Sequence, residues 1–183
     1  LNIINIARFT DQKDHMTLLK AFKLINKKIK AKLLIIGYGK NENQMKSFIS
    51  QNNLKKNVKI LKFQQNPYKF LRKSHLFVLT SKYEGLPNVL LEAMTLKKFV
   101  ISSDCPTGPR EITKNGKYGF LFRIGDYKQL ASKILLYSVN KEKFKSKIII
   151  GYNSLSRFNF SKNCNEYLKI IQKYYYVNLP IQI

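Results

Sequence analysis

Short runs of β-branched and other apolar residues alternate along the chain with amphipathic stretches, the pattern of βαβ units feeding a mostly parallel sheet. The apolar runs predict strands at about Asn2 to Ala7, Lys32 to Ile36, Val58 to Leu61, Leu76 to Thr80, Phe99 to Ser102 and Phe120 to Phe122. Between them the helical period predicts helices at about His15 to Ile29, Asn43 to Asn52, Pro67 to Lys73, Pro87 to Leu96 and Tyr127 to Tyr137. After Ser138 the pattern turns wholly helical, around Lys141 to Ser156 and then Ser161 to Tyr176, with Ser161 placed to cap the final helix. The expected architecture is α/β, a doubly wound, Rossmann-like, mostly parallel six-stranded sheet with C-terminal helices, in one domain over residues 1–183. The chain opens directly on a strand pattern with no initiator Met and is expected to be a piece of a longer protein.

In an open α/β sheet, ligands bind where loops leave the carboxyl ends of the strands. The unusual residues fall there: Arg8, Lys13 and Asp14 after the first strand, Gly37-Tyr38-Gly39 after the second, Ser81 and Glu84 to Asn88 after the fourth, and Asp104 to Glu111 after the fifth. In the segment Ser81 to Ala93, Gly85 permits a tight turn and Pro87 suits the first helical position, so that helix aims unpaired amides outward. Such a helix N-terminus binds phosphate through its orphan N–H groups and its positive dipole end. Glu84 lies just outside the helix and Glu92 about a turn and a half inside, so two carboxylates can flank an anion at its tip. Taken alone, two glutamates eight positions apart are equally ordinary surface acids. The chain has only 10 acidic residues, however, and the same rim also receives Asp104 and Glu111.

Arg8 and Lys13 sit where both can reach that anion, Arg8 as a bidentate donor and Lys13 as a point charge. Together they would neutralise a diphosphate and stabilise it as it leaves, without a metal. No Asp-x-Asp pair occurs among Asp11, Asp14, Asp104 and Asp126 to hold a cation, and no metal site is expected. Gly37-x-Gly39 lacks the third glycine of a dinucleotide fingerprint. It is either a tight turn letting a helix pass close to a ligand or a plain turn. His15 and His75, in no metal-ligand spacing, are expected on a helix surface and a strand edge, with no role. The Tyr174-Tyr175-Tyr176 cluster is read as the packing end of the last helix rather than a base-stacking platform.

Composition changes this picture in one respect. The formal net charge is +24, which by itself points to a polyanionic partner such as nucleic acid or an anionic membrane. The charge is almost all Lys, spread beside many Asn and Ile, which favours compositional drift and no specific nucleic-acid partner, with attraction to an anionic membrane surface as a side effect. A polyanion-binding module and a decayed, inactive fragment stay open as alternatives. A hydrophobic content of 44% fits a globular domain, no apolar run approaches the ~18 residues of a membrane span, and two distant cysteines, Cys105 and Cys164, suit a reducing cytoplasmic compartment.

Several segments resemble glycosyltransferase family 4, in its C-terminal domain. They are Ile6-Ala7-Arg8-Phe9 with Gln12-Lys13-Asp14, Leu34 to Gly39, the Glu84–Glu92 segment, Asp104 to Ile112, Gly116 to Phe122, Gly125-Asp126 and Arg157-Phe158. The resemblance implies the nucleotide-sugar-binding half of a GT-B fold, whose N-terminal acceptor domain is absent here. It implies metal-independent transfer of a hexose or N-acetylhexosamine, with retention of anomeric configuration, from a UDP- or GDP-sugar. The wording is similar to bacterial enzymes that extend polysaccharide, lipopolysaccharide or lipid-linked glycans, in the cytoplasm or at the inner face of the membrane. By that analogy Arg8 and Lys13 hold the diphosphate, Glu84 meets the donor sugar and Glu92 the ribose. The backbone of Gly85, Leu86, Pro87 and Asn88 would meet the phosphates and sugar with its amides, and Gly37 and Gly39 border the same cleft. Front-face attack, with the leaving phosphate helping to deprotonate the acceptor, belongs to the same analogy, as does a last helix that crosses back toward the other domain. Ser74 and His75 depart from the family's small residue and Asp before the fourth strand.

Overall fold

The computed structural model describes residues 1–177. They divide into two compact units, one from Leu1 to Tyr152 and the other beginning at Asn153. The first holds the sheet, whose strands are β1 (Asn2–Ile6), β2 (Lys32–Ile36), β3 (Val58–Leu61), β4 (Leu76–Leu79), β5 (Phe99–Ser103) and β6 (Phe120–Phe122). Their order is β3-β2-β1-β4-β5-β6 and every pairing is parallel, so the expected doubly wound sheet is present and wholly parallel. β4 is buried at all four positions and β5 at all five, which is why both read as unbroken apolar runs.

The helices that follow the strands are α1 (His15–Asn26), α2 (Glu42–Gln51), α3 (Tyr68–Lys73), α4 (Asn88–Thr95), α5 (Pro109–Thr113), α6 (Tyr127–Val139) and α7 (Lys145–Asn153). The face of α1 carrying Leu18, Leu19, Phe22 and Ile25 is fully buried, in one cluster with Ile3, Ile35, Val78 and Ile101 of the sheet and Leu130 and Ile134 of α6. Phe99 anchors a second group, stacked on Tyr137 at 4.6 Å and edge-on to Phe120 at 4.9 Å.

Several boundaries differ from expectation for identifiable reasons. α1 stops at Asn26, and Lys28 and Ile29 close the end by donating to the Ile25 carbonyl. Pro87 stands outside α4 as its N-cap, with an extended ψ of 95°, rather than at the first helical position. The five-residue α5 is too short to show a period and was not anticipated. The stretch expected as one helix over Lys141 to Ser156 breaks into a 3-10 turn at Glu142–Phe144, α7 and a second 3-10 turn at Ser154–Phe158.

The second unit carries α8 (Phe160–Val177). Asn159, not Ser161, supplies its cap, the side-chain oxygen accepting from the Lys162 amide at 2.9 Å. Of the tyrosines expected to pack the end of this helix, Tyr174 and Tyr175 are exposed, and the side chain of Tyr176 lies outside the described residues.

Candidate functional site at the carboxyl rim of the sheet

The strand order reverses between β1 and β4, so the switch-point crevice where an open α/β sheet takes its ligand falls at the loops leaving those two strands. The loop after β1 carries Arg8 and then a 3-10 turn, Asp11–Lys13. Asp14 follows in the left-handed region (φ 42°), and from there its carboxylate accepts from the Thr17 amide and hydroxyl, capping α1. The loop after β4 runs Thr80 to Pro87 into α4.

Four contacts stitch the two loops together. The Lys82 amide donates to the Gln12 carbonyl at 2.7 Å, Gln12 Nε2 to the Tyr83 carbonyl at 2.9 Å and Thr80 Oγ1 to the Lys13 carbonyl at 2.8 Å. The fourth is ionic: Lys13 Nζ lies 2.6 Å from Glu84 Oε1, with only 15% of the lysine and 7% of the glutamate side chain exposed. Ser81 Oγ donates to the same carboxylate oxygen at 2.6 Å. The sequence reading gave Lys13 to a diphosphate and Glu84 to the sugar beside it; the structure pairs the two directly with each other.

Glu84 is held from the far side by the loop after β5. Thr107 Oγ1 donates to the Glu84 carbonyl, and Ser103 Oγ and Cys105 Sγ both donate to the Ser81 carbonyl. Gly108 makes the closest approach, since a Cβ there would stand 2.0 Å from the Gly85 oxygen and 2.7 Å from the Pro87 ring. The turn glycine read at Gly85 is therefore reassigned. Gly85 has no positive φ and its missing Cβ would meet nothing, whereas Gly108 adopts φ 71°. Asp104 is not a free rim carboxylate either, because Arg110 grips it with two bonds at 2.5 and 2.8 Å. That pairing holds the Asp104 carboxyl below its usual range.

α4 begins at this crevice with no side chain capping it, and Gly85, Leu86 and Asn88 are exposed at its tip while Pro87 is buried. Arg8 stands exposed on the same rim, its side chain unpartnered among the described residues. Glu92 lies a turn and a half along α4, in an open groove of about 510 Å³ with Tyr68, Arg72 and Asn88. Burial raises its carboxyl above the usual range, and a hydrogen bond with Tyr68 opposes the rise. A larger cavity of about 740 Å³ opens at the amino ends of the strands among Leu1, Asn26 and Lys30, and its lining includes no acid.

Gly37 and Gly39 serve packing first. A Cβ at Gly37 would lie 2.0 Å from the Ala7 oxygen and one at Gly39 2.6 Å from the Phe9 oxygen. The loop after β2 thus presses on the backbone that carries Arg8, with the Phe9 amide bonded to the Tyr38 carbonyl at 2.7 Å. His15 is 2% exposed rather than on a helix surface, packed edge-on to Phe9 at 5.2 Å. Burial lowers its pKa to about 4. Among the described residues no group of three His, Cys, Asp or Glu could hold a metal ion, and no helix is long and apolar enough to cross a membrane.

Residues 2–172 match the family described as glycosyl transferases group 1. The chain belongs to that family. An uncharacterized glycosyltransferase of Methanocaldococcus jannaschii is 48% identical over 110 residues, covering 60% of this chain and 27% of its own length. The N-acetylgalactosamine-N,N'-diacetylbacillosaminyl-diphospho-undecaprenol 4-alpha-N-acetylgalactosaminyltransferase of Campylobacter jejuni is 31% identical over 122 residues, 67% of this chain and 33% of that protein. Among solved structures, a point mutant of Staphylococcus aureus TarM in complex with Fondaparinux, alpha-GlcNAc-glycerol and UDP superposes with a TM-score of 0.83 at 27% identity. That match covers 92% of this chain and 34% of TarM. This group 1 glycosyltransferase sequence thus spans about a quarter to a third of these three relatives, and its fold is that of GT-B glycosyltransferase domains.

Proposed function

We propose that this chain is the donor-binding, C-terminal domain of a retaining glycosyltransferase of family 4. In this reading it holds a UDP- or GDP-sugar while a hexose or N-acetylhexosamine passes to a polysaccharide, lipopolysaccharide or lipid-linked glycan. The observation that carries the proposal is the crevice between β1 and β4, where an uncapped α4 N-terminus meets Arg8 and the Lys13–Glu84 pair. A diphosphate seated there accepts from the α4 amides and from the exposed Arg8, and it competes with Glu84 for the Lys13 ammonium, which has three protons to donate. Glu84, released in part, turns to the hydroxyls of the sugar, and Glu92 accepts from the ribose in the Tyr68 groove.

Transfer then breaks the bond from the anomeric carbon to the diphosphate oxygen. The acceptor hydroxyl oxygen bonds to the same face of that carbon and its proton passes to the leaving phosphate. Arg8, Lys13 and the α4 dipole stabilise the charge that develops on the diphosphate, which removes the need for a metal ion. The acceptor is bound by a second domain of the GT-B type, at the cytoplasmic face of a membrane. The acceptor named for the Campylobacter relative, a diphospho-undecaprenol, and the UDP bound to TarM support this reading.

The test is a metal-free titration of the chain with UDP, GDP, UDP-N-acetylglucosamine and GDP-mannose, read by calorimetry and thermal shift, on the wild type and Glu92→Ala. One base is expected to bind and to lose most of its affinity in the variant. Binding of neither base would overturn the assignment.

A further inference from the structure

A parallel sheet is ordinarily covered on both faces, and one stretch of this sheet is not. Ile3, Leu33, Ile35 and Val58 belong to the main core, on the face that α1 and α6 cover. The alternate residues take the other face, where the register sets Ile4, Leu34 and Lys59 side by side across β1, β2 and β3. Beside them on that face lies α3, six residues long, which leaves Leu34 and Phe70 half-buried and Lys59 exposed. Between α3 and the sheet runs a groove of about 460 Å³, with Ile4, Leu34 and Phe70 among its apolar lining.

Lys32, Lys55, Lys56, Lys59 and Lys73 line the same groove, and all five are exposed. Among the described residues none of them is in an ion pair, and no acid lines the groove. Asn57 and Ser74, also in the lining, are already committed: they donate to the Ala31 carbonyl at 3.1 Å and the Leu71 carbonyl at 2.7 Å. The free donors are therefore all cationic. Gathering five like charges around one opening is repulsive until an anion joins them, and the apolar lining beneath gains nothing from a bare phosphate. An anionic phospholipid satisfies both, its phosphate among the ammonium groups and the first carbons of its chains against Leu34 and Phe70. Lysine suits that arrangement, because its stem lies along apolar surface while the charge stays at the head groups.

We propose that this groove docks the chain on an anionic phospholipid surface. The proposal rests on the membrane placement in the reading above and adds the surface that makes the contact. Lys32 opens β2, Lys55 and Lys56 precede β3, and Lys73 ends α3 just before β4, so the lysines gather toward the amino ends of the strands. The crevice with Arg8, Lys13 and Glu84 lies at the carboxyl ends. A bilayer held at the groove leaves that crevice clear for the donor.

The experiment sediments the chain with vesicles of phosphatidylcholine, alone or mixed with phosphatidylglycerol, at physiological salt. Wild type is compared with Lys55→Gln/Lys56→Gln and with Lys117→Gln/Lys128→Gln, which removes the same charge from exposed positions before β6 and in α6. A lysine facing an anionic bilayer contributes about fivefold to partitioning, so the groove pair should lower binding to the mixed vesicles on the order of tenfold or more, and the control pair less than about threefold. Dihexanoyl phosphatidylglycerol, soluble as single molecules, is expected to shift the Leu34 methyl resonances in NMR spectra, and glycerol phosphate is not. Circular dichroism checks folding, and UDP and GDP titrations of the same proteins separate the two readings: vesicle binding through the groove with no nucleotide bound would overturn the donor site alone. Equal losses in the two lysine pairs would reduce the attraction to diffuse charge and overturn the groove. So would equal binding to vesicles of phosphatidylcholine alone, or a Leu34 shift that glycerol phosphate reproduces. An RNA duplex that loses affinity only in the groove pair, while vesicle binding does not move, would overturn it in favour of nucleic acid.

Discussion

Gly108 offers the sharpest test of how the site is held together. Replacing it with alanine puts a methyl 2.0 Å from the Gly85 oxygen and 2.7 Å from the Pro87 ring, both of them backbone or backbone-fixed atoms that cannot swing aside. The backbone at Gly108, with φ 71° and ψ −76°, is also one that an alanine resists, at ~1–3 kcal/mol. Forcing the two loops apart adds about 1–3 kcal/mol more, the usual cost of overpacking. The sum is about 2–6 kcal/mol, which for a chain of this length lowers the melting temperature on the order of 10 °C. Gly85→Ala is the matched control, since its added methyl meets nothing and its φ is not positive. Its stability should stay within about 1 kcal/mol of wild type. Urea denaturation of the three proteins gives the numbers, and nucleotide titration should find weakened binding in folded Gly108→Ala, because the loop that moves carries Glu84. A Gly108→Ala protein that loses less than about 1 kcal/mol, or a Gly85→Ala protein that loses as much, would refute the argument from close approach.

Three further outcomes follow from the site. Lys13→Met strands a Glu84 side chain that is only 7% exposed, and should cost on the order of 3 kcal/mol in urea denaturation, much of it recovered by adding Glu84→Gln. His15 has its pKa lowered to about 4 by burial, against 6.5 when unfolded, so the unfolded chain binds the extra proton between those values. Its contribution is therefore full above pH 6.5 and is lost as pH falls toward 4, on the order of 3 kcal/mol in all, and His15→Phe should flatten that slope in pH-dependent denaturation. Burial raises the Glu92 carboxyl and Tyr68 opposes the rise, so Tyr68→Phe should move the acid limb of nucleotide binding to higher pH, while Glu92→Gln abolishes that limb; calorimetry over the carboxylate range would show an unmoved limb if Glu92 has no part in binding.

The elements of the sheet were legible because a doubly wound fold writes its strands as apolar runs and its crossovers as periodic helices, and the β2, β3 and β6 ranges match the sequence reading residue for residue. That Arg8, Lys13 and Glu84 share one rim was also legible from position alone, since ligand-facing residues follow strands in order. Pairing could not be read. Lys13 and Glu84 are 71 residues apart, and nothing local to either says that their charges meet. Gly85 misled for a related reason: a glycine in a turn looks like a conformational need, while the real constraint was a backbone approach from Gly108, 23 positions on, visible only once β4 and β5 are neighbours. The α4 start differs by one residue because Pro87, whose fixed φ suits the first helical position, takes an extended ψ of 95° and stands at the cap instead.

The stitches across the crevice also bear on when the site comes into being during folding. Gln12 meets Tyr83 across 71 residues, and Thr80 meets Lys13 across 67. Closing a loop of that size costs about 4 kcal/mol in chain entropy before any contact rewards it. No single stitch repays that, so the rim forms only after β1 and β4 have paired and the strands have already brought the loops together. A molecule of this chain that binds nucleotide is then one whose sheet is complete, and ligand binding can serve as the final checkpoint in a refolding experiment.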